Sequence, residues 1–228
     1  MTDTPGRNAP VIAFFVIDQT LLSTRVLEDF LRHRLSERQF AYERGQLRAL
    51  TALGIGPVDI LRAHYRLYEG TVWTDLMEQG QHWYDDLCRG RQASRPFIPS
   101  AVAALHAHQE AGHLTVLLSE AFAPCLTPLG KDLGADLVMG TEPLLDAEGR
   151  LTGAVHRPMT AAAKARAART TAAAHGADLH RCFGYGGHAD ALALLRTVGR
   201  PSVIGTDPVL TTHARRSGWP ILPSATST

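Results

Sequence analysis

The chain has 228 residues, with 23 Lys and Arg against 22 Asp and Glu, a formal net charge of +1. That length can bury one sizeable core plus a smaller insert, and the balance of 45% hydrophobic to 20% charged residues is ordinary for a globular protein. A charge near zero favours neither nucleic acid nor a membrane surface as partner. Cys88, Cys125 and Cys182 are far apart and odd in number, against a disulfide framework and for a reducing compartment.

No C-x-x-C or H-E-x-x-H pattern occurs, so there is no zinc signature. The first apolar run is too short to span a bilayer and follows a polar stretch without a basic leader or a small-residue cleavage site. The expectation is a cytoplasmic protein with loose tails at Met1 to Pro10 and Pro223 to Thr228.

Val11 to Ile17 is a continuous apolar run that ends at Asp18 and a polar turn. Such a run reads as a strand buried on both faces of a parallel sheet. Ligands in such sheets sit just beyond the carboxyl ends of the strands, which makes Asp18 the first place to look for chemistry. Thr24 to Leu35 has helical spacing at Val26, Leu27, Phe30 and Leu31, with Thr24 as N-cap. Helices are then expected over Phe40 to Leu53, Pro57 to Tyr68 and Val72 to Cys88, separated by Gly54-Ile55-Gly56-Pro57 and Glu69-Gly70. The stripe Trp73, Leu76, Met77, Trp83, Tyr84 and Leu87 reads as core packing before it reads as ligand contact.

Strand and helix alternate from Pro99 onward. Ser100 to Ala111 is a helix with Val102, Leu105 and His106 facing inward and Gly112 as its C-cap signal. His113 to Leu118 is a second buried strand, ending at Ser119-Glu120. Phe122 to Leu133 is a helix, Gly134 to Met139 a third strand, and Glu142 to Leu145 with Leu151 to Val155 a hairpin. Met159 to Gly176 is an alanine-dense helix. Arg181 to Tyr185 is a fourth strand, His188 to Val198 a helix, Pro201 to Gly205 a fifth strand and Pro208 to Ser217 a last helix. Trp219 to Leu222 is a terminal packing segment. The alternation argues an α/β fold, an open parallel Rossmann-like sheet with right-handed crossovers, carrying an inserted all-helical cap.

Val16-Ile17-Asp18-Gln19-Thr20-Leu21 resembles the first motif of the haloacid dehalogenase superfamily, Asp-x-Asp-Gly-Thr-Leu after an apolar strand. The resemblance extends over nearly the whole chain and is greatest to the phosphoserine-phosphatase-like subclass. It implies a core at 1–23 and 96–228 and a helical cap at 24–95. Ser119 fits the second motif, and Lys164, after the hairpin around Gly149 and Gly153, fits the third. Tyr185-Gly186-Gly187-His188-Ala189-Asp190-Ala191-Leu192 fits the fourth, in a register fixed by Val198-Gly199-Arg200-Pro201 and Thr206-Asp207-Pro208.

In that register Val16 replaces the family's nucleophile, Gly187 the first Asp of the fourth motif and Ala191 the second, while Asp190 falls one residue early. The family attacks phosphorus with a carboxylate and screens the charge with magnesium, which prefers hard oxygen ligands. Val16 can do neither and Gly187 cannot bind a cation, so the resemblance implies neither metal nor cofactor and little or no phosphatase activity.

Retained are Asp18 at the family's general acid/base position, Thr20, and Ser119 and Lys164 where the family grips phosphoryl oxygens. Lys164, short of its balancing carboxylates, is expected to leave the pocket more positive, and the backbone N–H groups at Gly186 and Gly187 to help hold an anion. Each has a plainer reading: Asp18 as a loop cap, Ser119 as a turn residue, Lys164 as a solvated charge, His188 as a water-facing helix start. Glu120 is a further candidate.

Three functions remain open. One is metal-free acid/base chemistry on a small anionic or polar metabolite through Asp18, assisted by His188 or Lys164. The others are a non-catalytic binding protein and a residual phosphatase using Asp18 or Asp190.

Overall fold

The computed structural model describes residues 9–89 and 96–224. The first strand, β1 (Ile12–Val16), is buried along its whole length. Four helices then intervene before the second strand: α1 (Val26–Arg34), α2 (Glu37–Ala52), α3 (Pro57–Arg66) and α4 (Trp73–Arg89). The core resumes with α5 (Pro99–Glu110), β2 (Leu114–Leu118), α6 (Ala123–Asp132) and β3 (Leu137–Met139). A hairpin follows, β4 (Glu142–Leu145) against β5 (Leu151–Arg157), and then α7 (Ala161–Ala174). The chain closes with β6 (Phe183–Gly186), the short α8 (Leu192–Leu195), β7 (Arg200–Ile204), α9 (Pro208–Ser217) and β8 (Ile221–Leu222).

The main sheet runs β3-β2-β1-β6-β7-β8, every pair parallel. Strand order reverses at β1, so the switch point that hosts ligands in such sheets lies off its carboxyl end. Alternate side chains of β1 feed two cores. Ala13, Phe15 and Ile17 join the larger cluster with the inserted helices, where Phe15 stacks on Tyr185 at 4.3 Å. Ile12, Phe14 and Val16 join a second cluster with Leu118, Ala168, Ala191 and Leu194.

The inserted helices are held unequally. In α4 the expected stripe is core: Leu76, Trp83, Tyr84 and Leu87 are buried, as is Gly80. A Cβ on Gly80 would stand 1.9 Å from the Pro124 carbonyl oxygen, so α4 and α6 meet at backbone distance. By contrast α2, with a Ser36–Gln39 capping box at its start, buries only Phe40.

Several local expectations are corrected. Thr24 does not cap α1; its hydroxyl is buried without a hydrogen bond, and the Asp18 carboxylate takes the Val26 N–H instead, at 2.8 Å. In α5 the inward histidine is His108, not His106, because the burial register falls at Ala101, Leu105 and His108. The helix expected from His188 is a 3₁₀ turn at Ala189–Ala191 followed by four α-helical residues. Ile221–Leu222, expected as packing, pairs as a sixth strand. The outer parts of both expected tails, 1–8 and 225–228, and the expected end of the cap at 95 lie outside the described residues. No helix among the described residues is long and apolar enough to cross a membrane.

Candidate active site

The turn after β1 positions Asp18. Gln19 adopts a left-handed φ of 52°, where the resembled motif carries Gly, and this folds the turn back towards the start of α1. Asp18 is thereby fully engaged. Its Oδ1 accepts the Val26 N–H at the start of α1, and its Oδ2 accepts the Ser119 hydroxyl at 2.6 Å. Ser119 Oγ in turn accepts the Ala121 N–H at 3.0 Å. Asp18 therefore ties three segments together: the end of β1, the end of β2 and the first cap helix.

Thr20 is buried, and its hydroxyl accepts the Gly187 N–H at 2.8 Å. That amide, expected to help hold an anion, is therefore already committed. Gly187 is also closed to any side chain, since an added Cβ would lie 1.8 Å from the Gln19 carbonyl oxygen. Gly186 ends β6 against Ala191, whose Cβ would be 2.3 Å from one added there.

Lys164 on α7 is wholly buried, not a solvated charge. Its Nζ donates to Asp190 Oδ2 at 2.9 Å and stands 3.9 Å from Glu120 Oε1. The expected positive surplus is therefore corrected: Asp190, one residue early in the motif, reaches the lysine and balances it together with Glu120. Burial alone would lower the ammonium pKa, but Asp190, Glu120 and Asp18 outweigh it and raise it. Asp190 is the converse case. Burial opposes its charge, yet the His188 hydrogen bond and Lys164 hold it well below the usual carboxylate range. Glu120 is pushed up by burial, partly offset by Lys164.

His188 links this cluster to open space. Its Nδ1 is 3.1 Å from Asp190 Oδ1 and its Nε2 3.1 Å from an Arg25 guanidinium nitrogen. A guanidinium only donates, so Nε2 accepts from Arg25, while Nδ1 faces both the Asp190 carboxylate and, at 3.4 Å, the Asp190 backbone N–H. Arg25 also donates to Gln19 Oε1 at 3.2 Å.

A cavity of about 450 Å³ opens between this cluster and the cap. Asp18, Gln19, Arg25, Glu120, His188 and Asp190 line its core side. Leu27 and Leu31 of α1, Phe40, Arg44, Leu47 and Arg48 of α2, and Ile60, Leu61 and His64 of α3 line the other. Of the residues considered from sequence, Asp18, Glu120, His188 and Asp190 border the cavity. Thr20, Ser119, Lys164 and the two glycines stand behind it as supports. The cap arginines and His64 were missed. The available signal was the pair Arg44 and Arg48, one turn apart on the face that carries Phe40, Leu47 and Thr51.

The magnesium that the family's chemistry uses does not fit these residues. Val16, at the nucleophile position, is wholly buried in an apolar cluster. Gly187 has no room for a ligating side chain. The carboxylate oxygens of Asp18 and Asp190 already accept from Val26 N–H, Ser119, Lys164 and His188. Among the described residues no group of three His, Cys, Asp or Glu side chains is arranged to hold a metal ion.

Comparison with known proteins places this geometry. The chain is 34% identical over 181 residues to the "Inhibition of morphological differentiation protein" of Streptomyces azureus, a match covering 72% of this chain and 65% of that one. The chain thus spans just under two thirds of that relative's length. The crystal structure of a Bordetella pertussis Tohama I protein of unknown function superposes with a TM-score of 0.83 at 20% identity, over 96% of this chain and 100% of that one. A substrate-bound phosphoserine phosphatase superposes at 0.68 with 16% identity, over 93% and 92%. At such identities the two structures speak for the fold. The model of haloacid dehalogenase-like hydrolases matches residues 13–209, and the chain belongs to that family.

Proposed function

We propose that this family member has left phosphoryl transfer and uses the cavity under its cap to bind a small anionic or polar metabolite, on which His188 acts as a base. The observation that carries the reading is the pair of closed positions. Val16 is sealed in an apolar cluster where the family's attacking carboxylate stands, and Gly187 cannot accept even a Cβ where a metal-binding Asp stands. Covalent phosphoryl transfer needs a nucleophile within reach of phosphorus, and neither position supplies an oxygen.

The polar chemistry facing the cavity is a His–Asp pair with a buried lysine behind it. With the Nδ1–H donated to the Asp190 carboxylate, Nε2 presents its lone pair, and the His188 contact and Lys164 keep Asp190 anionic. Displacement of Arg25 from Nε2 by the bound ligand exposes that lone pair to an acidic proton of the ligand. Asp190 then stabilises the imidazolium, which returns the proton at another atom, the pattern of an isomerisation or tautomerisation. Lys164, earlier a candidate for direct assistance, acts here through Asp190.

The test is turnover of p-nitrophenyl phosphate and phosphoserine by the full chain with magnesium. The expected result is no hydrolysis above that of Asp18→Asn. Magnesium-dependent turnover abolished by both EDTA and Asp18→Asn overturns the reading.

A second reading, binding without turnover, is favoured by one observation. Asp18, Thr20, Ser119 and Lys164, all retained from the family pattern, have partners inside the protein. The name of the Streptomyces azureus relative also speaks of differentiation rather than of a reaction. His188→Gln separates the two: it abolishes conversion of a bound ligand under the first and changes nothing beyond affinity under the second.

A further inference from the structure

We infer that the cavity takes an amphipathic anion: an oxyanion head held by Arg48 and Arg44, and an aliphatic body lying along the cap helices towards Asp18 and His188. The inference rests on the cavity being a ligand site and names what it selects.

Three features carry it. The first is the stripe of α2 that faces the cavity. Phe40, Arg44, Leu47, Arg48 and Thr51 recur at helical spacing, while Tyr42 on another face is 64% exposed. A helix that buries only Phe40 is not shaped by packing, yet it turns Phe40, Leu47 and two guanidinium groups towards one space.

The second is the charge census of the lining. Arg25 donates to Gln19 and His188, and Arg44 lies 3.7 Å from Glu28. Arg48 has no hydrogen bond or ion pair among the described residues, so its donors are free for a ligand. On the acidic side, Glu28 is paired with Arg44, Asp18 and Asp190 have both oxygens engaged, and Glu120 stands beside Lys164. The lining therefore offers an anion a cation and offers an amine no free carboxylate of equal standing. Guanidinium groups one turn apart suit a planar or tetrahedral oxyanion.

The third is the apolar wall. Leu27, Leu31, Leu47, Ile60 and Leu61 give the cavity an aliphatic side that a bare phosphate or a short hydroxy acid would leave wet. A volume of about 450 Å³ lies within the range that encloses small organic ligands.

The experiment is isothermal titration of the full chain with butyrate, hexanoate, octanoate, octyl phosphate, octylamine and inorganic phosphate. Affinity should rise about threefold to fourfold per added CH₂ from butyrate to octanoate, as burial of each methylene predicts. Octyl phosphate should bind at least as well as octanoate, and inorganic phosphate and octylamine at least tenfold more weakly. Arg48→Glu should weaken octanoate at least tenfold, and Leu47→Asn should flatten the chain-length series, both with unchanged circular dichroism. Absence of binding by all probes, affinity independent of chain length, octylamine equal to octanoate, or Arg48→Glu equal to wild type overturns the inference. None of these outcomes touches the phosphatase assay, so the two readings fail separately.

Discussion

Gly187→Asp, which puts a carboxylate where the resemblance sets the family's metal-binding Asp, should damage the fold, and the structure sets the scale. An added Cβ would lie 1.8 Å from the Gln19 carbonyl oxygen and 2.9 Å from its carbon, where ordinary contact begins near 3.4 Å. The Gln19 turn must therefore retreat by about 1.6 Å, or β6 must move. Retreat disturbs the Gly187 N–H to Thr20 bond, the Gln19 N–H to Thr24 carbonyl bond and the Arg25 to Gln19 contact. Overpacking of a tight site costs about 1–3 kcal/mol, and two or three weakened hydrogen bonds add about 1 kcal/mol each. The sum is about 3–6 kcal/mol, or a fall in Tm of roughly 6–24 °C for a chain of this size. Urea unfolding followed by circular dichroism measures the first and differential scanning fluorimetry the second. If Gly187→Asp unfolds with the wild-type midpoint, the turn makes room freely and the closed-position argument is refuted. Gly187→Ala, which carries the same Cβ without charge, should show most of the same loss.

Ser119→Ala should cost about 2–4 kcal/mol in urea unfolding, because it removes a charge-assisted bond to Asp18 and strands the Ala121 N–H. Asp18→Ala should cost a similar amount and loosen the start of α1, read as faster amide exchange over the first turn of that helix. Lys164→Met should destabilise by about 3 kcal/mol at pH 7, since it leaves Asp190 and Glu120 without their shared cation. The folded Asp190 pKa lies below the ordinary 3.8, so its contribution is present above that pH and fades as pH falls through the folded value. The gap between wild type and Lys164→Met should therefore narrow below pH 3.8. His64 and His108 are held down to about 4 by burial, with His113 adding to the effect at His108. Both should stay neutral in NMR titrations of the folded protein to near that pH. The unfolded chain takes up those protons from about pH 6.5, so stability should decline between pH 6.5 and 4.

The sheet was legible in the sequence because buried parallel strands are continuous apolar runs, and Val11 to Ile17 and His113 to Leu118 are unambiguous as such. The hairpin and the helix ends at Gly112 and Gly149 were legible for a backbone reason: both glycines adopt positive φ. Less visible was which group would satisfy which. Thr24 looked like the cap of α1 by residue type, but a carboxylate six residues earlier took the position. That choice depends on the left-handed Gln19, which no spacing rule announces. His106 and His108 are two residues apart, and nothing local decides which faces the Tyr185 hydroxyl across the sheet.

The candidate site was legible along the strands and not across them. Asp18, Ser119, Lys164 and His188 could be picked out at element ends. The pairing of Lys164 with Asp190 could not, because it joins α7 to a turn 26 residues later through a buried route. The cap lining lay furthest from view. The arginines of α2 look like any solvated helix face until the fold sets them over a cavity.

The contact between Gly80 and Pro124 has a mechanical consequence. Where two backbones touch with no side chain between them, neither can tilt without collision, so α4 is effectively riveted to α6. The insert therefore cannot swing as one rigid flap. α2, anchored through Phe40 alone among its buried side chains, is the least tied of the inserted helices, and its amides should exchange faster than those of α4.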